Sequence, residues 1–136
     1  MKATSVWVGG WRSVLDDGRG HSVVVDLPAE QDGTNTGTTA LELAIMSLAG
    51  CITTIFRMVA EKRRFAYKAF KAELEAEKPK DAPTVTGIKG VMELVTDEEE
   101  KEAQTTVKLT LDNCPLGVLF DEAGIKFDWV VKVKKT

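Results

Sequence analysis

Between Leu43 and Phe56 the chain runs for about 14 residues without a charge, and this stretch constrains the fold more than any other. It follows Thr39-Ala40-Leu41-Glu42, the pattern of a capping box, in which a Thr hydroxyl and a Glu carboxylate satisfy orphan amides at a helix start. A helix is therefore expected to begin here. The uncharged run falls short of the ~20 residues that a membrane span requires, and it ends in Arg57 and Lys62-Arg63-Arg64. The reading is a buried helix and no membrane partner. Leu41, Leu43, Ile45, Met46, Leu48, Ile52, Ile55 and Phe56 point around most of its circumference, so one sheet face cannot cover it. A second layer or a second subunit is implied.

With 136 residues, 43% hydrophobic and 29% charged, the chain has ordinary globular composition, which suits one core and a single domain over 1–136 and excludes wholesale disorder. A net charge of -3 makes an overall field that repels a phosphate backbone, so nucleic acid is not expected as a partner. Met1 to Gly10 holds one Lys and no apolar segment of the secretory kind, and the expected compartment is the reducing cytoplasm, with both cysteines as thiols. One His and two Cys cannot complete four zinc ligands without carboxylates or a second chain. A structural zinc site is not expected.

Val6, Trp7, Val8, Trp11 and Val14, broken at Gly9-Gly10, predict two short strands around a turn or bulge, and Val23-Val24-Val25 before Pro28 predicts a third. Ala29 to Thr38 is polar and rich in Gly and Thr, a surface loop. In residues 66–77 the alternation of Phe70, Ala72, Leu74 and Ala76 with Lys71, Glu73, Glu75 and Glu77 favours a strand, although the residue types also permit a helix. Thr84 to Val95 is β-type. Thr96-Asp97-Glu98-Glu99 reads as a second capping box, opening a helix to about Asp112, and Asn113-Cys114-Pro115 starts a short one. Phe127, Trp129, Val131 and Val133 alternate with charged residues in a half-buried final strand. The order of elements is α+β. Met46, Met58 and Met92 are expected as core filler.

The two thiols are the first candidates for chemistry. Cys51, in an apolar helical run, has the appearance of a small buried hydrophobe. Cys114 precedes Pro115 at a helix start, where exposed amides and the positive end of the helix dipole lower a thiol's pKa. Read together, TALELAIMSLAGC, which places Glu42 nine residues before Cys51, and DNCPLGVLF resemble the motifs of the OsmC and organic hydroperoxide resistance (Ohr) family. The resemblance covers nearly the whole chain. It implies antiparallel sheets wrapped around a long buried central helix in an intertwined homodimer, with sites at the interface.

The resemblance also implies roles. Cys51 resembles the peroxidatic residue, whose thiolate attacks a hydroperoxide oxygen to give a sulfenic acid, and Cys114 resembles the resolving thiol that condenses with it. Glu42 corresponds to a carboxylate that, with an Arg, orients and deprotonates the attacking thiol. A second thiol suits this chemistry because it intercepts the sulfenic acid before overoxidation. The family's Arg, about twenty residues before the helix Cys, has no match here; Arg12, Arg19 and Arg57 are candidate substitutes, and His21 resembles a position in a less characterised branch. The implied activity is thiol-dependent reduction of organic hydroperoxides or hydrogen peroxide in oxidative stress defence, with a dithiol as reductant. The alternative is a non-catalytic scaffold of the same fold that binds a small apolar ligand at the dimer interface.

Overall fold

The computed structural model describes residues Met1 to Thr136 and separates into two compact units, Met1–Ala44 and Ile45–Thr136. In the first, β1 (Thr4–Gly9), β2 (Arg12–Asp16) and β3 (Ser22–Val25) form an antiparallel sheet in that order. Gly9 and Gly10, with φ of 113° and 55°, make the turn after β1, where side chains would be strained. The polar loop that follows β3 contains a 3-10 turn at Ala29–Gln31 and is pinned from beneath by Asp26, only 2% exposed. The Asp26 carboxylate accepts from the backbone N–H of Leu27, Thr34 and Thr36 and from the hydroxyls of Thr34 and Thr36. These donors, the Thr34 hydroxyl foremost, hold its pKa far below the ordinary carboxylate range.

Helix α1 (Ala40–Arg63) starts at the end of the first unit and continues into the second. Its capping box is formed as expected: Thr39 N donates to Glu42 Oε2 at 2.7 Å, and Glu42 N donates to Thr39 Oγ1 at 3.1 Å. The core takes one stripe, Leu48, Ile52, Phe56 and Ala60, at the four-residue spacing that returns to the same helix face. Phe56 stacks on Phe70 with ring centroids 3.8 Å apart and meets Tyr67 edge-on. Other faces of α1 are open. Leu41, Met46 and Met58 are exposed, so within one chain the helix is buried along a single stripe, and of the three expected core methionines only Met92 is in the core. By length and composition alone α1 could also cross a membrane, with mean hydropathy 1.8 over its most apolar window.

The second unit adds β4 (Ala69–Glu77), β5 (Gly87–Val95), α2 (Glu100–Asp112), α3 (Pro115–Glu122) and β6 (Lys126–Lys134). Of the 66–77 segment, residues Ala69–Glu77 are a strand, as the alternation indicated. The sheet order is β4-β5-β6, with β4 and β5 antiparallel. The β5–β6 pair is parallel, from Gly87 beside Lys126 to Val95 beside Lys134, which corrects the wholly antiparallel expectation. The reason is the connection: α2 and α3 lie between the two strands, and a crossover of that length returns the chain to the same end of the sheet. The second capping box is also corrected. Residue Glu99 is the N-cap of α2 and makes no side-chain cap, while buried Thr96 donates to Ala66 O at 2.6 Å and accepts from Glu98 N. Thr96 tethers the chain before β4 instead of opening a helix.

Candidate functional site

Within the second unit, Leu48 and Ile52 of α1 pack with Val85, Ile88, Ile125 and Cys114, and half-buried Cys51 lies against this cluster. Cys51 is at the exposed margin of the stripe because it lies three residues after Leu48 and one before Ile52. Cys114 is fully buried, at the N-cap of α3, where Pro115 occupies the first helical turn without needing an N–H partner. These two placements bring together thiols 63 residues apart in sequence: Cys114 Sγ donates to Cys51 Sγ across 2.9 Å. That gap exceeds the ~2.05 Å of a disulfide bond by less than ~1 Å. Both cysteines are free thiols here.

The helix start does not make Cys114 acidic. Its sulfur accepts from Gly117 N at 3.4 Å, which favours the thiolate, but burial and then the contact with Cys51 prevail and push the thiol up from 9.0 to about 11. This reverses the dipole expectation, since desolvating a thiolate outweighs one N–H donor and the end of an eight-residue helix. At neutral pH Cys114 keeps its proton.

Beside the pair is a cavity of about 450 Å³, lined by Leu48, Ile52, Leu111, Phe127 and Trp129 among others, with Lys108 and Asp112 also on its wall. Lys108 and Asp112 form a 2.5 Å ion pair one helical turn apart. Trp129 keeps its place because Gly90, its neighbour on β5, lacks a side chain: a Cβ there would stand 2.1 Å from the Trp129 ring. Phe127 stacks beside Trp129, centroids 4.9 Å apart, two residues along the same face of β6.

Of the three residues singled out from sequence, Cys51 and Cys114 meet. The Glu42 carboxylate is engaged at the start of α1, accepting from Thr39 N and from the Thr38 hydroxyl at 3.2 Å, and these bonds, the Thr39 N–H first, hold its pKa below 4.5. His21 Nδ1 lies 2.8 Å from Asp17 on the exposed turn after β2, and the same carboxylate takes Arg19 at 3.1 Å. Arg12 and Arg57 are exposed. No group of three or more His, Cys, Asp or Glu side chains converges as a metal site would require. Asp26 and Gly90 escaped the sequence reading: nothing in local spacing joins Asp26 to Thr34 and Thr36, whereas a glycine within a β-type run was a visible sign of close approach.

Comparison with known proteins agrees with this architecture. The profile of the family described as OsmC-like protein matches residues 33–130. Among solved structures, the chain is similar to an OsmC-like protein from Mycoplasma pneumoniae, with 13% identity, TM-score 0.84, and 99% of this chain and 96% of that one covered. It is similar to an organic hydroperoxide resistance protein OsmC from Legionella pneumophila, with 17% identity, TM-score 0.74, and 96% and 95% covered. The organic hydroperoxide resistance protein OhrB of Bacillus subtilis matches with 19% identity, TM-score 0.65, and 98% and 96% covered. No curated protein sequence matches the chain.

Proposed function

The chain belongs to the OsmC-like protein family, and from that premise we propose that it is a two-thiol peroxidase acting on organic hydroperoxides or hydrogen peroxide. The observation that carries this reading is the 2.9 Å approach of Cys114 Sγ to Cys51 Sγ. Solved relatives of this fold include proteins named for organic hydroperoxide resistance, which supports the substrate class.

Cys51 is the attacking residue. Cys51 is half-buried whereas Cys114 is fully buried, so an incoming peroxide reaches Cys51 first. The Cys51 thiolate attacks one peroxide oxygen, the O–O bond breaks, and the other oxygen leaves as alkoxide, taking a proton to become alcohol; Cys51 becomes a sulfenic acid. Cys114, which holds its proton at neutral pH, then attacks the Cys51 sulfur as that proton passes to the departing hydroxyl, giving water and a disulfide. A dithiol returns both cysteines to thiols and is itself oxidised to a disulfide. No metal or prosthetic group is needed for these steps. Glu42 would orient the cation that accompanies the Cys51 thiolate. The exposed apolar residues Leu41, Met46 and Met58 on α1 support a homodimer as the working form, its interface burying more than ~2,000 Å² as obligate dimers do.

The test is peroxide consumption with a sulfenic-acid probe. Cys51→Ser abolishes consumption, and Cys114→Ser allows one turnover and leaves a sulfenic acid on Cys51 that overoxidises. Labelling of Cys114 alone would reverse the roles. Absence of any labelling after one equivalent of peroxide would end the peroxidase reading. Sedimentation showing a stable monomer at micromolar concentration would end the dimer.

A further inference from the structure

The wall of the 450 Å³ cavity carries a charge that folding does not explain. The end of α2 contributes Lys108 and Asp112, and α3 contributes Gly117 and Asp121. Each pair is four residues apart and so shares one helix face. Lys108 and Asp112 are bound to each other, whereas the Asp121 carboxylate makes no ion pair and no hydrogen bond. Both acids are in the last turns of their helices, α2 ending at Asp112 and α3 at Glu122, and neither turn holds a basic residue. The unpaired carbonyls of a helix end repel a carboxylate and attract a cation. Asp121 is therefore unfavourable to α3 where it stands, and what its position favours is a positive charge from outside the chain.

The rest of the wall is apolar and flat. Phe127 and Trp129, both half-buried, stack at an interplanar angle of 15°, and Leu48 and Ile52 complete the apolar side. Gly117 adds room. Glycine weakens a helix relative to alanine, and neither common reason for it applies here: its φ is not in the left-handed region, and a Cβ built on it meets nothing nearer than 3.4 Å. A side chain at 117 would fit the fold and would narrow the cavity. Cys51 is not on this wall, and Cys114, which is, is fully buried, so the space is separate from the sulfur chemistry.

We propose that this cavity is a binding site for a small primary amine with a flat apolar body, its ring against Phe127 and Trp129 and its ammonium group on Asp121. Two carboxylates to one ammonium make the wall complementary to a cation, and the faces of the aromatic rings attract a cation as well. An anion of the same shape meets the free Asp121 while Lys108 is already taken by Asp112. The site stands independently of the peroxidase reading.

Three probes of one shape test it at neutral pH: 2-phenylethylamine, neutral 2-phenylethanol and anionic 3-phenylpropionate. Binding is read from the indole N–H resonances of the three tryptophans, Trp129 being identified by its loss in Trp129→Phe. The amine is expected to shift Trp129 saturably and to leave Trp7 and Trp11, exposed on the first sheet, unmoved. It is expected to bind roughly tenfold tighter than the alcohol, with the carboxylate weakest, and to lose that advantage in high salt. Asp121→Asn, a change at an exposed side chain, should bring the amine to the affinity of the alcohol. Lys108→Met, which frees Asp112, should tighten the amine further. Gly117→Leu should weaken all three probes, with circular dichroism verifying the fold. No saturable shift of Trp129, shifts at Trp7 and Trp11 alone, or 3-phenylpropionate binding as tightly as the amine would overturn the proposal. So would wild-type amine affinity in Asp121→Asn.

Discussion

Replacing Cys51 by alanine removes the sulfur that Cys114 faces and leaves the burial of Cys114 in place. In the intact pair, burial first and the contact with Cys51 second raise the Cys114 thiol from 9.0 to about 11. At pH 7 that is a thiolate fraction of roughly 1 in 10,000 instead of about 1 in 100, so about a hundredfold less of Cys114 is in the nucleophilic form. In Cys51→Ala the second cause is gone and the first remains. The titration midpoint of Cys114 should therefore lie above 9.0 and below 11. Ultraviolet thiolate absorbance against pH measures it, with circular dichroism on the same samples to verify that the chain stays folded. Because the titration reads proton binding, a buried sulfur reports as well as an exposed one. The linkage has a definite sign: a thiol whose folded pKa is raised adds stability that is complete below its unfolded pKa near 9 and is lost as pH rises toward 11. Urea midpoints should fall across that window in the wild type and fall less in Cys114→Ser. A Cys114 midpoint at or below 9.0 in Cys51→Ala would refute the argument, since it would mean that the Gly117 N–H and the start of α3 outweigh burial.

Gly90→Ala drives a methyl into the Trp129 ring and should cost about 1–3 kcal/mol in urea unfolding, relieved in part by Trp129→Leu; an unchanged midpoint would mean that the ring moves aside without loss. Asp26→Asn turns an NH2 group toward donors on Thr34 and Thr36 and should lower the melting temperature at pH 7. Since the folded pKa of Asp26 is depressed, the wild-type advantage exists above the unfolded value of 3.8 and is lost as pH falls below it, so melting curves of the two proteins should converge in acid. Glu42→Gln keeps an acceptor at the third helical position and should change stability by ~0.5 kcal/mol or less. Slower peroxide reduction at that near-constant stability is the expected result of the orienting role, and equal rates would leave Glu42 as a helix cap.

Local rules were legible in this chain wherever the interaction was local. Thr39 and Glu42 are three residues apart, close enough for one capping box to be read from four letters and then found in both hydrogen bonds. The alternation in β4 and β6, the Gly9-Gly10 turn and the Cys114-Pro115 helix start were equally visible, and the stretches around Cys51 and Cys114 carried the family. Thr96-Asp97-Glu98-Glu99 shows the limit of the same rule. It has the letters of a capping box, but Thr96 finds Ala66 O across the fold, and a tertiary partner displaces the local one. The parallel pairing of β5 with β6, the burial of Asp26 under Thr34 and Thr36, and the exposure of Met46 and Met58 on α1 depend on how elements meet. The acidity of Cys114 is the clearest case. Its sequence neighbours place it at a helix N-terminus, where a thiolate is favoured; the packing of α1, β5 and α3 excludes water from it and sets it against Cys51, where the thiol is favoured. Helix caps are interactions over one turn and are written in order along the chain, whereas desolvation sums over every atom that surrounds a group, and those atoms are gathered only by folding.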